Sequence, residues 1–198
     1  LLGCSDSADI VIFEPEPIIT NGTVTDVSCF DLTDGEIDVT TTGGNGGFVW
    51  TWSSTPNGNI VDGTLEDQTG LDSAIYCLNI QDALGCNYDT CFNLIKPGEL
   101  FFGAVVTDMD CFGDNDAQIS LNPFNGVPNY TIDWGAPINQ NNGPTSQSGL
   151  SDDTYAITLT DLNGCDKDTS IVIVEPPLLE LTENTHTDIT CFGFDDGE

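Results

Sequence analysis

The chain of 198 residues carries 33 acidic side chains against two basic ones, Lys96 and Lys167, for a formal net charge of −31. That charge repels phosphate backbones and anionic headgroups, so nucleic acid and membrane surfaces are poor partners. No apolar run approaches the ~20 residues of a spanning helix, so direct membrane insertion is not expected. Disorder fails as a reading of the charge, because Val, Ile, Leu, Phe, Trp and Tyr recur in alternating runs that can bury a core.

The chain repeats itself about every 80 residues. Thr25-Asp26-Val27-Ser28-Cys29-Phe30 recurs at Thr107–Phe112 and again at Thr187–Phe192. Gly3-Cys4 recurs as Gly85-Cys86 and Gly164-Cys165. Self-similarity at a fixed period indicates an array of equivalent modules. The punctuation places the final strand of a preceding repeat at 1–17 and full repeats at 18–98 and 99–177. It places the first strand of a following repeat at 178–198. The chain reads as a segment of a longer array.

Within the first repeat, alternation predicts strands near 18–28, 35–42, 47–53, 59–65, 74–82 and 86–95, and the second repeats them about 80 residues on. Turn signals separate them: Gly43-Gly44-Asn45-Gly46-Gly47, Asn57-Gly58, Asn125-Gly126, Asn142-Gly143-Pro144 and Asn163-Gly164. The fold class is all-β, as tandem immunoglobulin-like β-sandwich repeats in an elongated array. Trp52 aligns with Trp134, Gly70-Leu71 with Gly149-Leu150 and Tyr76 with Tyr155, as core positions. Trp50 is the best candidate for an exposed sugar-stacking platform, but it shares the parity of Trp52 and is expected to point inward.

Eight cysteines in a loop-rich β sequence indicate disulfides in an oxidising compartment. Zinc is disfavoured by the absence of Cys-x-x-Cys and by a single histidine, His186. If Asp82 and Cys86 close a three-residue turn, paired residues sum to 168 and Cys77 faces Cys91 on the outer side. Such a bridge is worth on the order of 3 kcal/mol. The recurring cysteines allow two pairings. One stays within a repeat, Cys29–Cys86 and Cys111–Cys165. It must span the ~30 Å between opposite ends of a ~9-residue strand, whereas bridged Cα atoms lie within ~7 Å. The other joins Cys29 to Cys165 across successive repeats and leaves Cys4 and Cys86 for repeats upstream of this segment and Cys111 and Cys191 for repeats downstream of it. Topology favours the second, with within-repeat pairing and free thiols as alternatives.

Acidic residues concentrate beside the same cysteines. Asp31, Asp34 and Glu36 follow Cys29. Asp110, Asp114 and Asp116 flank Cys111, and Asp195, Asp196 and Glu198 follow Cys191. Asp82 and Asp89 flank Cys86, and Asp161, Asp166 and Asp168, with Asn163, flank Cys165. Hard oxygen ligands in loops suit Ca2+, and a solvated acidic surface is the plainer reading. No catalytic constellation and no phosphate-binding glycine loop occur, so the chain is not expected to be an enzyme.

The punctuation resembles the SprB-type repeats of Bacteroidota surface adhesins. Their units have the form Cys-Phe-Gly-x-x-Asp-Gly, then a Gly-Gly strand with Tyr and Trp, then Gly-x-Tyr, Asp-x-x-Gly-Cys and a closing Pro. The second repeat offers Cys111-Phe112-Gly113, Tyr130, Trp134, Tyr155, Asp161, Gly164-Cys165 and Pro176. The first offers Cys29-Phe30, Asp34-Gly35, Gly43-Gly44, Trp52, Tyr76, Asp82, Gly85-Cys86 and Pro97. Phe48 and Ala117 depart from the pattern, and the Cys77/Cys91 pair is an addition. The resemblance implies an extracellular, cell-surface protein exported by type IX secretion, active in gliding motility and attachment, with no catalytic residues. Asp-Ser-Ala triplets of that bacterial group can carry O-glycans, which makes Ser7 and Ser73 candidates. The function expected is a structural stalk segment of an adhesin or filament. Its partners are neighbouring repeats of the same chain, and surface glycans or other cells. A glycan-binding array and accessory repeats of a secreted enzyme are the alternatives.

Overall fold

The computed structural model describes residues 6–56, 58–60, 62–138, 143–182, 188–195 and 197. Among these residues the regular elements are twelve strands. In the first repeat they are β1 (Ile19–Thr25), β2 (Gly35–Thr42), β3 (Val49–Thr55), β4 (Gln68–Leu71), β5 (Ala74–Gln81) and β6 (Asn87–Leu94). In the second they are β7 (Phe101–Thr107), β8 (Ala117–Phe124), β9 (Thr131–Trp134), β10 (Ser146–Leu150), β11 (Asp153–Thr160) and β12 (Asp166–Ile173). The chain divides into two compact units. The first is Leu1–Phe101 with two loop tips, Phe124–Tyr130 and Thr160–Asp166; the second is the remainder.

In the first repeat the sheet orders are β1-β2-β4 and β3-β5-β6. This is the A-B-E and C-F-G arrangement of an immunoglobulin-like sandwich, built with six strands. Alternation explains which face each strand buries. On β2, Ile37 and Val39 point in while Glu36, Asp38 and Thr40 face solvent; on β5, Tyr76, Leu78 and Ile80 point in. These side chains join Trp52, Leu71 and Leu94 in one cluster drawn from both sheets. Each such burial stabilises by roughly 1.5–3 kcal/mol. Trp50 is half-buried against this core, and its Nε1 donates to Thr41 Oγ1 at 3.2 Å.

The second repeat has the orders β7-β8-β10 and β9-β11-β12. Its buried set repeats the first: Ile119, Leu121 and Trp134 lie 82 residues after Ile37, Val39 and Trp52. Leu150, Tyr155, Ile157, Leu159 and Ile173 lie 79 after Leu71, Tyr76, Leu78, Ile80 and Leu94. The three-residue difference falls between β9 and β10, away from the core positions. Both tyrosines form the corner typical of this fold. Tyr76 Oη donates to Asp72 O at 2.8 Å, and Tyr155 Oη to Ser151 O at 2.9 Å.

One expected strand is absent. Residues 62–67 form a turn, and the fourth strand is Gln68–Leu71. Asp62 closes that turn by accepting from Thr64 N at 3.0 Å and Thr64 Oγ1 at 2.7 Å. Trp52 N donates to Gly63 O and Trp52 Nε1 to Leu65 O, so β3 binds the segment as a loop. An Asx turn competes with a strand ladder for the same backbone groups, and here it wins. In the second repeat Trp134 Nε1 likewise donates to Pro144 O at 2.9 Å, as Trp52 Nε1 does to Leu65 O.

Candidate functional site: hairpin platforms and Cys-Phe loops

The β5–β6 and β11–β12 hairpins each end in a turn organised by a buried aspartate. Asp82 and Asp161 are only 4% and 5% exposed. Asp82 accepts from Leu84 N and Cys86 N at 2.9 Å each, from Asn45 N at 3.0 Å and from Asn45 Nδ2 at 2.7 Å. Asp161 accepts from Asn163 N at 2.9 Å, Cys165 N at 3.0 Å and Val127 N at 2.8 Å. Burial alone would push the Asp82 carboxyl up. The hydrogen bonds from Asn45, Cys86 and Leu84 outweigh it and hold the group well below the usual carboxylate range. Gly85 and Gly164 take the left-handed turn position at φ 88° and 84°. Gly126 combines φ 58° with close approach: a Cβ there would lie 2.7 Å from Asp161 Oδ2.

The second element is the loop before β2. Leu32 N donates to Cys29 O at 3.1 Å, closing a turn behind the cysteine. Asp34 accepts from Ser28 N at 2.9 Å and from Ser28 Oγ, which lowers the Asp34 pKa. Cys29 is bonded to Cys165, with S–S 2.05 Å, Cα–Cα 5.7 Å and a sequence separation of 136. Asn163 Nδ2 donates to Ser28 O at 3.0 Å beside the bridge. All these residues belong to the first compact unit, because the tip 160–166 is part of it.

The within-repeat alternatives do not form. Cys86, Cys111 and Cys191 are exposed and carry no disulfide among the described residues. Cys4 and His186 lie outside those residues. The other bridge joins Cys77 and Cys91 at S–S 2.08 Å, directly opposed in the β5–β6 register. Loop closure over a separation of 14 predicts that Cys77→Ser with Cys91→Ser lowers stability by about 3 kcal/mol. A denaturation midpoint unchanged by the double substitution would refute that value.

The SprB repeat family model matches residues 21–57 and 103–137, that is, β1 to β3 and β7 to β9 with their Cys-Phe loops. These two segments are SprB-type repeats. The aspartate-centred hairpins lie outside the matched segments of each SprB repeat, yet recur in both. No curated protein matches the chain. Among solved structures, extracellular domains 3–5 of Drosophila OTK are similar at 10% identity and a TM-score of 0.42. That match covers 80% of this chain and 62% of the other. The chain thus spans less than two thirds of that structure.

Several of the acidic residues expected as Ca2+ ligands accept hydrogen bonds within the protein. Asp161 accepts from three backbone donors, Asp116 accepts from Asp110 N at 3.2 Å, and Asp168 accepts from Thr158 Oγ1 at 2.6 Å. Asp31, Asp114 and Asp166 are exposed. Among the described residues, no three His, Cys, Asp or Glu side chains converge as metal ligands. At Asp161 the backbone N–H groups of Asn163, Cys165 and Val127 occupy lone pairs that a cation would need. Asp196 and Glu198 lie outside the described residues. Of the O-glycan candidates, Ser7 is exposed and Ser73 half-buried.

Periodicity did not single out Lys96. It forms an ion pair with Asp72 at 3.1 Å and lies 5.0 Å over the Phe30 ring, tying the Cys29 loop to the end of β6. Its only sequence signal is its rarity, as one of two cations in the chain.

Proposed function

We propose that the chain is a non-catalytic, load-bearing segment of a secreted cell-surface protein, a stalk serving attachment or gliding motility. Its SprB repeats are of a kind found in cell-surface proteins. The observation that carries the mechanical reading is the Cys29–Cys165 bond. Tension entering before residue 29 and leaving after residue 165 passes through that bond, so the residues between are shielded from it. The non-catalytic reading is supported by the recurring buried polar groups. Asp82 and Asp161 are engaged by turn donors and have little capacity left for acid–base chemistry. Export by type IX secretion, and surface glycans or other cells as the attached partner, belong to the same reading.

Single-molecule pulling from the two termini tests it. The separation of 136 residues corresponds to roughly 470 Å of contour at about 3.5 Å per residue. Unfolding of the oxidised chain should release less length by that amount than unfolding of the reduced chain. Equal extension in both states would remove the load-bearing role. Strong binding to immobilised glycans by this segment alone would favour a binding module instead.

A further inference from the structure

The chain carries two hairpin platforms of the same build. At the Cys165 platform, Gly126 N donates to Gly98 O at 3.1 Å, Val127 N to Asp161 Oδ2 at 2.8 Å and Asp161 N to Cys165 O at 3.0 Å. At the Cys86 platform, Gly44 N donates to Glu16 O at 2.8 Å, Asn45 N to Asp82 Oδ2 at 3.0 Å and Asp82 N to Cys86 O at 3.0 Å. Each bond has its counterpart 79 or 82 residues away. The Cys165 platform holds a Cys-Phe loop by a disulfide. The Cys86 thiol is exposed, beside a groove of about 470 Å³ lined by Glu14, Pro17, Ile18, Asp82 and Tyr88.

The complementary piece is also on the chain, more than once. The turn behind Cys29, Leu32 N to Cys29 O at 3.1 Å, is repeated by Asp114 N to Cys111 O at 3.2 Å and by Phe194 N to Cys191 O at 3.0 Å. The residue before the cysteine is tied back in the same way, Ser28 N to Asp34 Oδ1 at 2.9 Å and Asp110 N to Asp116 Oδ1 at 3.2 Å. Cys111 and Cys191 are exposed thiols. Loop and platform are different surfaces, so their pairing between molecules is heterologous and generates head-to-tail chains rather than closed pairs.

We propose that the Cys86 platform docks a Cys-Phe loop of a second copy of this chain, through Cys111 or Cys191, and that a disulfide joins the copies head to tail. The inference stands on the equality of the two platforms and not on the mechanical reading above. Oxidised glutathione can serve as the oxidant. The Cys86 thiolate attacks it, forming a mixed disulfide and releasing one glutathione thiolate. The loop thiolate of the second copy then attacks the Cys86 sulfur and releases the other. Two protein thiols become one disulfide, and one oxidised glutathione becomes two reduced. The neighbouring Asp82, with burial, pushes the Cys86 thiol up, so bridging accelerates as pH rises. Leu84 stands where Asn163 donates to Ser28 O, and it is 77% exposed. Docking at Cys86 therefore lacks one hydrogen bond that the Cys165 platform makes.

The test incubates the full chain carrying Cys4→Ser, which leaves one hairpin thiol, in a glutathione redox buffer. The buffer is held at physiological ionic strength, because two chains of charge −31 repel each other at low salt. Non-reducing electrophoresis and peptide mapping after Asp-N digestion read the products. The expected products are covalent multimers in which Cys86 is bridged to Cys111 or Cys191. Cys86→Ser should lose the ladder, and Leu84→Asn should increase its yield by supplying the missing donor. Random collision of three exposed thiols would leave hairpin–loop bridges in the minority. Cys86–Cys86 or loop–loop bridges in equal or greater amount, a ladder that survives Cys86→Ser, or no multimer at all would each overturn the proposal.

Discussion

Removing the Cys29–Cys165 bond lowers the stability of the folded chain by about 5 kcal/mol, the largest effect of any single covalent change here. The value follows from loop closure over a separation of 136 residues, where the entropy withheld from the unfolded chain grows with the logarithm of loop length. It exceeds the ~3 kcal/mol for Cys77–Cys91 for the same reason. Cys29→Ser, Cys165→Ser and the double substitution should give one common denaturation midpoint, since all delete the same bond. Fluorescence of the buried Trp52 and Trp134 reports the transition. If the midpoint stays at the wild-type value, the loop is not held at the platform in solution, and the load-bearing reading weakens with it.

Asp161→Ala ranks second, at on the order of 4 kcal/mol, because three backbone donors at Asn163, Cys165 and Val127 lose their acceptor together. The hairpin turn and the loop packed against it are both tied to this carboxylate, so no single rearrangement satisfies all three. The substitution is read from the denaturant midpoint, and a loss under about 1 kcal/mol would show that water replaces the carboxylate freely. The equivalent Asp82 adds a pH signature. Its folded pKa is depressed, so its contribution is complete above the unfolded value near ~3.9 and is lost as pH falls below that toward the folded value. Wild-type stability should therefore drop on the acid side of that point, and Asp82→Ala should flatten the drop. An identical acid limb in both proteins would contradict the assignment.

Much of each sandwich was legible in the residues. Alternation sets which side chains of β2 and β5 are buried, because successive strand residues face opposite ways. The 168 sum for β5 and β6 needs only one turn position, and the structure has that register throughout, from Ala74 opposite Leu94 to Gln81 opposite Asn87. The tryptophan and tyrosine positions follow from the repeat itself. The fourth strand was not legible, because Asp62 captures backbone groups that periodicity assigns to a ladder. The aspartates beside the hairpin cysteines read as cation ligands or as a solvated acidic surface, and their work as turn clamps was not legible. A carboxylate looks the same in a sequence whether solvent, a metal or a backbone N–H faces it.

The cysteine pairing marks the division most clearly. Cys77 and Cys91 are close in the chain and joined by one hairpin, so local geometry was enough to oppose them. Cys29 and Cys165 are 136 residues apart, and three arrangements of the recurring cysteines were open until the loop tips of residues 124–130 and 160–166 were placed with the first compact unit. Strand direction and side-chain parity are properties of a few neighbouring residues. The meeting of two remote loops depends on every turn and strand between them, and only the assembled fold contains that sum.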